Sequence, residues 1–305
     1  MLKYLFACVL FLSTSSLYGK ETLTIYTNAA FMSSSYGPGA ALKEFFEKTC
    51  QCEIKYVVLD TIPLVMNRVN LEGDKTKADL ILGLEEMGLS VSHVEKLVPY
   101  ASQCLAFVYD SQKIPYPPQT LDELIKSSHS IILPDPRTSI TGFGFLVWMK
   151  KVYGEMSSQK WKELATHVLT FTKGWTEAYA LFMRGEAPIV LGYTSDGLYN
   201  ELEKGKPHLK SLYFSEGHLC SDIYAAKMKM TQNGPLADKF LAFLLSKEAQ
   251  ELIALRGWTY PKVGAPESWR VAENYLLPPS WVSFSAQEVT HSKKQWLEEW
   301  LEALM

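Results

Sequence analysis

The sequence predicts an α/β protein of two lobes with a ligand cleft between them. Three observations carry this. Its 305 residues allow about two domains at roughly 150 residues each. Short β-prone runs alternate with helical patterns along most of the chain. The run Ala78-Asp79-Leu80-Ile81-Leu82-Gly83 is continuously apolar after its acid, as in a strand buried on both faces of a parallel sheet. With 47% hydrophobic and 21% charged residues the chain is neither disordered nor fibrous. A net charge of −3 provides no basic excess for nucleic acid.

Residues 1–19 read as a secretory signal peptide: a basic Met1-Leu2-Lys3, an apolar Tyr4 to Leu12, and a small, polar Ser13 to Gly19. Cleavage is expected near Gly19. Leu5-Phe6-Ala7-Cys8 is a poor lipoprotein box, because the apolar stretch continues past Cys8. The mature product is expected to be soluble outside the cytoplasm.

The first unit begins with a strand at Leu23 to Tyr26. Pro38 opens a helix through Leu42, Phe45 and Phe46. Glu53 to Leu59 is a second strand. Thr61 is placed to cap a helix through Leu64, Val65, Arg68 and Leu71, which Gly73 stops. The strand 78–83 completes a βαβαβ order. Further on, strands are expected at 105–109, 131–133, 188–193 and 219–226. Helices are expected near 121–125 and at 142–152, 160–169, 175–183, 198–203, 236–245, 247–255 and 286–304. The last carries Val289, Trp296, Trp300 and Leu304 as an apolar stripe.

No long polar linker separates the units, so the strands at 105–109 and 219–226 are the expected crossings. Lobe one is then 20–106 with 220–305, and lobe two is 107–219. A ligand in such an arrangement sits at strand carboxyl ends and helix amino ends, between the lobes.

Four cysteines remain in a mature chain: Cys50, Cys52, Cys104 and Cys220. An oxidising compartment allows them to pair. No Cys-x-x-Cys occurs and the six histidines are scattered, so zinc spacing is absent. There is also no Gly-x-Ser-x-Gly elbow, P-loop or complete dinucleotide fingerprint.

The informative segments favour binding. Asp135-Pro136-Arg137-Thr138-Ser139-Ile140-Thr141-Gly142 leads from a strand into a helix start, where free N–H groups and Ser139 suit a phosphate or carboxylate. A plain Ser/Thr cap explains the same residues. Trp175, Tyr193, Tyr199 and Trp258 all fall at junctions of strands, loops and helices. Singly, each fits core packing; together they read as a box for a flat or cationic ligand.

The chain resembles the periplasmic thiamine-binding protein family, the substrate-binding subunits of bacterial ABC thiamine importers. The likeness rests on Leu23-Thr24-Ile25-Tyr26-Thr27, Tyr36-Gly37-Pro38-Gly39, Cys50-Gln51-Cys52-Glu53 and Lys77 to Leu84. It continues through Asp135-Pro136-Arg137-Thr138-Ser139, Lys173-Gly174-Trp175-Thr176-Glu177, Phe214-Ser215-Glu216-Gly217-His218 and Trp258-Thr259-Tyr260-Pro261. The resemblance implies a type 2 periplasmic binding fold that captures thiamine or its phosphates in the periplasm and delivers it to ABC permease subunits. It implies a monomer with no cofactor. Ser139, Trp175, Tyr193, Tyr199 and Trp258 match family ligand positions, with Ser139 at the hydroxyethyl or phosphate end and Tyr199 and Trp258 flanking the rings. The polar contacts depart from the family. A ligand tyrosine falls at Asn28, and a pyrimidine-recognising aspartate falls at Thr61, with Asp60 beside it. Tyr36 stands in place of a tryptophan.

These departures leave open a binding protein for a ligand related to thiamine, and two readings of other classes also stay open. A thiamine-degrading enzyme on this fold would need a cleft thiol, for which Cys104 and Cys220 are the candidates. A ferric-ion binder would need adjacent tyrosines, whereas Tyr193 and Tyr199 are six apart.

Overall fold

The computed structural model describes residues 20–86, 92–278 and 280–305. The expected signal peptide and its Cys8 lie outside the described residues. Among the described residues no helix is long and apolar enough to cross a membrane.

Strand β1 (Thr22–Asn28) lies between β2 (Glu53–Leu59) and β3 (Leu80–Glu85), parallel to both. Helix α1 (Gly39–Cys50) starts just after Pro38 and buries Leu42 and Phe46. Helix α2 (Ile62–Glu72) starts after Thr61, but the Thr61 side chain makes no capping hydrogen bond. Its buried stripe is Ile62, Val65 and Val69, whereas Leu71 is 89% exposed. Leu64 and Leu71 face outward, while Ile62, Val65 and Val69 join Tyr26, Ile81 and Leu84 in one apolar cluster.

Strand β4 (Val94–Asp110) is far longer than the expected 105–109. It runs antiparallel to β9 (His218–Met228) as far as the pair Cys104–Cys220, then antiparallel to β7 (Ile189–Tyr193) from Leu105 onward. Strand β5 (Ile131–Pro134) is parallel to β7 and to β6 (Val168–Thr172), while the short β8 (Leu209–Ser211) flanks β4. The changeover divides the sheet, ordered β2-β1-β3-β9-β4-β7-β5-β6, into two halves sharing β4. Strand β6 falls where the sequence suggests the end of a helix. Helix α5 (Ser157–Ala165) stops early, and the alternation Val168-Leu169-Thr170-Phe171-Thr172 pairs with β5 instead.

Helix α4 (Ile140–Tyr153) is buried on nearly all sides, α6 (Trp175–Met183) and α7 (Asp196–Leu202) follow β6 and β7, and α8 (Gly234–Leu244) and α9 (Lys247–Gly257) cover the first half-sheet. The short α3 (Leu121–Lys126) precedes β5, and after the two-residue β10 (Tyr260–Pro261) and a short α10 (Glu267–Arg270), strand β11 (Trp281–Val282) pairs with the start of β9.

The division at 220–305 needs one correction. The C-terminal helix α11 (Ala286–Leu304) packs in the second half-sheet's core, where Val289, Trp296 and Trp300 join Phe145, Trp161 and Leu164. Trp300 meets Trp161 and Phe171 edge-on at 6.2 and 5.5 Å. The apolar groove left by α4 and α5 explains this placement, and Lys150–Glu299 and Lys151–Glu288 ion pairs flank it.

Candidate functional site

Strand ends and helix starts from both half-sheets converge on a cavity of about 590 Å³. All eight residues singled out in the sequence line it. Asn28 comes from the end of β1, Asp60 and Thr61 from the β2–α2 turn, and Ser139 from the start of α4. Trp175 opens α6, Tyr193 ends β7, Tyr199 lies in α7 and Trp258 follows α9.

Each placement has a local cause. The Asn28 Oδ1 accepts the Phe31 N–H at 3.0 Å and turns the chain out of β1. The Ser139 hydroxyl accepts the Gly142 N–H at 3.4 Å, so it does cap α4. A Cβ at Gly142 would stand 2.2 Å from the Pro134 carbonyl oxygen, so only glycine allows α4 to start this close to β5. Arg137, however, is not free for an anion. Its guanidinium pairs with Asp135 at 2.5 Å and lies over Trp300, outside the cavity lining.

Tyr193 is pinned by a 2.8 Å hydrogen bond between its hydroxyl and that of Thr141. Burial raises this phenol well above its ordinary range. Trp258 adopts a left-handed backbone, φ 52°, after Gly257, a conformation uncommon for a bulky residue. This turn sends the indole back between the half-sheets, where it stacks on Trp269 at 6.0 Å. Tyr199 meets Trp258 edge to face at 5.2 Å, and Lys204 Nζ lies 5.1 Å from the Tyr199 ring centre. A ring sandwiched between two faces needs about 7 Å, twice a contact distance of about 3.5 Å. Tyr199 and Trp258 therefore touch each other here and do not stand apart to flank a ligand. At the opposite wall Tyr36, of the first half, meets Trp175 edge-on at 5.4 Å and hydrogen-bonds Thr176 at 3.3 Å.

Sequence reasoning missed the polar floor. Glu85 ends β3 beside Gln103 of β4, and burial pushes its carboxyl up to about 7. Asp196 accepts the Tyr193 N–H at 2.8 Å, and burial pushes it up to about 7 as well. The signal was available: both acids lie at carboxyl ends of strands, where α/β folds place ligands. Among the described residues the lining carries four acids, Asp60, Glu85, Glu177 and Asp196, against one basic side chain, Lys173. Neither Cys104 nor Cys220 lines the cavity, and they are joined in a disulfide; Cys50 and Cys52 form a second.

A cleft of aromatics and acids between two half-sheets that share crossing strands is the arrangement of a protein that binds a small solute. The comparisons agree. The profile of the family described as bacterial extracellular solute-binding protein matches residues 77–259. The thiamine-binding periplasmic protein of Salmonella typhimurium is 36% identical over 97% of this chain and 97% of its own. That of Brucella abortus is 37% identical over 93% of this chain and 92% of its own. A solved periplasmic thiamin binding protein, 36% identical, superposes with a TM-score of 0.84 over 94% of this chain and 97% of that one. The chain belongs to the bacterial extracellular solute-binding proteins and, among them, to the family of thiamine-binding periplasmic proteins. The fold is the two-lobed α/β fold of periplasmic binding proteins.

Proposed function

We propose that this protein captures thiamine, and thiamine phosphates, outside the cytoplasmic membrane and delivers them to the permease of an ABC importer. The observation that carries this reading is the cavity: aromatic walls with four acids against one lysine, in a chain 36% identical over its length to a thiamine-binding relative. Thiamine joins a flat aminopyrimidine to a permanently cationic thiazolium. Aromatic faces attract both rings and the acids complement the charge. The volume lies within the roughly 300–1,000 Å³ usual for such ligands. The contacts are assigned to Trp175, Tyr193, Tyr199 and Trp258 for the rings, to Asn28, Asp60 and Thr61 for polar groups near the first half-sheet, and to Ser139 for the hydroxyethyl or phosphate end. The Ser139 hydroxyl accepts from the Gly142 N–H and retains its own proton to donate into the cavity.

The same reading makes the protein a monomeric carrier in the periplasm, without cofactor or catalysis, matured by cleavage near Lys20. The Cys104–Cys220 disulfide supports binding over thiol chemistry, since it ties up both candidate nucleophiles. Calorimetric titration of the mature protein with thiamine tests the reading. Saturable binding at one site is expected; heats equal to dilution at high micromolar thiamine overturn it. Mass spectrometry of the exported product checks the cleavage site.

A further inference from the structure

We propose that Glu85 is the group that reads the aminopyrimidine in this chain: β3 delivers its carboxyl to the cavity floor with no basic side chain among the described residues paired to it. The inference rests on the thiamine reading above.

The other lining acids are differently placed. Asp196 accepts the Tyr193 N–H, and Glu177 accepts the Lys173 N–H at 3.0 Å, so both are engaged at helix starts. Asp60 is exposed at the rim. Glu85 is hydrogen-bonded by the Gln103 side chain of β4 and lies by Tyr100 of β4, Tyr193 of β7 and, as its ladder partner, Ile223 of β9. Asp196 stands beyond Tyr193. None of these groups is cationic. What remains accessible of Glu85 opens on the cavity.

The backbone directs it there. The ladder with β9 slips at Gly83, between Leu82 and Leu84, and Gly83 has φ 89°. Such a bulge bends a strand and re-aims the side chains after it. A Cβ at Gly83 would lie 3.2 Å from the Ile62 Cδ1 and 3.9 Å from the Asn28 Oδ1, so the end of β3 abuts the turn carrying Thr61. By the family resemblance Thr61 falls where a pyrimidine-recognising aspartate is expected, and a hydroxyl lacks the paired oxygens of that group. Glu85 supplies them from the end of β3. The aminopyrimidine presents an amino donor next to a ring-nitrogen acceptor. A carboxyl near its titration point accepts from the first when ionised and donates to the second when protonated.

The test is calorimetric titration with thiamine and with oxythiamine, whose pyrimidine carries oxygen in place of the amino group. At about pH 8, where the Glu85 carboxyl is ionised and can only accept, the wild type is expected to favour thiamine at least tenfold. Glu85→Leu, which keeps the bulk but neither accepts nor donates, should weaken thiamine about tenfold or more and oxythiamine much less. Glu85→Asp retracts the carboxyl by one methylene and should also narrow the preference, which gives a second variant if Glu85→Leu does not fold. An unchanged preference in either folded variant, or equal wild-type affinity for the two ligands, overturns the role of Glu85 and leaves the thiamine reading standing. A wild type that binds neither ligand overturns both.

Discussion

Cys104 of β4 and Cys220 of β9 stand directly opposite each other, Cα atoms 4.0 Å apart and joined by a disulfide, at the last pair before β4 leaves β9 for β7. Two residues before Cys220, the buried His218 donates its Nδ1–H to the Leu105 carbonyl at 2.7 Å while its Nε2 accepts the Phe214 N–H at 2.9 Å. The crossing between half-sheets is thus held covalently on one side of the changeover and by a histidine on the other.

That arrangement makes the disulfide a matter of stability. It closes a loop spanning 116 positions, and long loops gain most in the chain-entropy account. Replacing both cysteines by alanine is expected to lower the urea unfolding free energy by about 2–4 kcal/mol. Thiamine affinity should stay within about threefold, since neither residue lines the cavity. An unchanged urea midpoint would contradict the stabilising role, and a collapse of binding in the folded variant would contradict the separation from the site.

Ser139 has two tasks, and one substitution separates them. Ser139→Ala removes the cap of α4, expected to cost about 0.5–2 kcal/mol of stability in denaturant unfolding. It also removes one donor to the ligand, worth about 0.5–1.5 kcal/mol toward a neutral hydroxyl and about 1.5–3 kcal/mol toward a charged phosphate. Titrations with thiamine and thiamine phosphate should therefore show the larger loss for the phosphate. Equal losses would leave Ser139 as a cap alone.

The aromatic half of the site was legible because Trp175, Tyr193, Tyr199 and Trp258 fall at element junctions, where loops leave little core for a large ring to fill. Glu85 was not, since its approach to the cavity depends on the bulge at Gly83, which no local pattern announces. Arg137 belongs to the run 135–142 that reads as suited to an anion; its pairing with Asp135 and its seat over Trp300 appear only once the chain, α11 included, has folded. The same long-range packing hid the membership of 286–304 in the second core, since an amphipathic stripe does not say which partner covers it. Strand β6 was lost to a helical reading because the turn at Thr166 and His167 contains neither glycine nor proline.

Asp196 gives a pH signature with a definite sign. Its carboxyl is raised from 3.8 to about 7, so the folded state holds a proton that the unfolded chain releases near pH 4. The stability this contributes is fully present below about pH 4 and is lost as pH rises through about 7. Glu85 acts in the same direction. Buried His218 is depressed by desolvation and acts in the opposite one, losing stability as pH falls from its ordinary value of about 6.5 toward its lowered folded value. Asp196→Asn keeps an oxygen for the Tyr193 N–H and removes only the titration, so the difference from wild type isolates this group. Urea unfolding should show the variant gaining on wild type between pH 5 and 8, by up to about 2–3 kcal/mol. A difference that stays flat across that range would mean that Asp196 titrates as an ordinary carboxylate.

Trp258 tests whether the box attracts charge or only fills space. In the present geometry Trp269 covers one face of its indole and Tyr199 abuts it, while Lys204 lies over Tyr199. A thiazolium therefore meets the indole surface left open to the cavity and does not slip between Tyr199 and Trp258. A desolvated cation over tryptophan is worth about 2 kcal/mol, which is more than tenfold in affinity. Trp258→Ala would forfeit that together with the packing on Trp269, so it should also lower stability. Trp258→Phe is the cleaner probe, because phenylalanine keeps much of the apolar area and presents a weaker face to a cation. It is expected to weaken thiamine several-fold, and to weaken less an analogue of the same shape whose second ring is uncharged. Thiamine should also change tryptophan fluorescence in the wild type, since Trp175 and Trp258 both line the cavity, and Trp258→Phe should reduce that change. If the charged and uncharged ligands lose affinity equally on the phenylalanine change, Trp258 contributes apolar contact alone, and selection for the cation falls to the acids of the cavity lining.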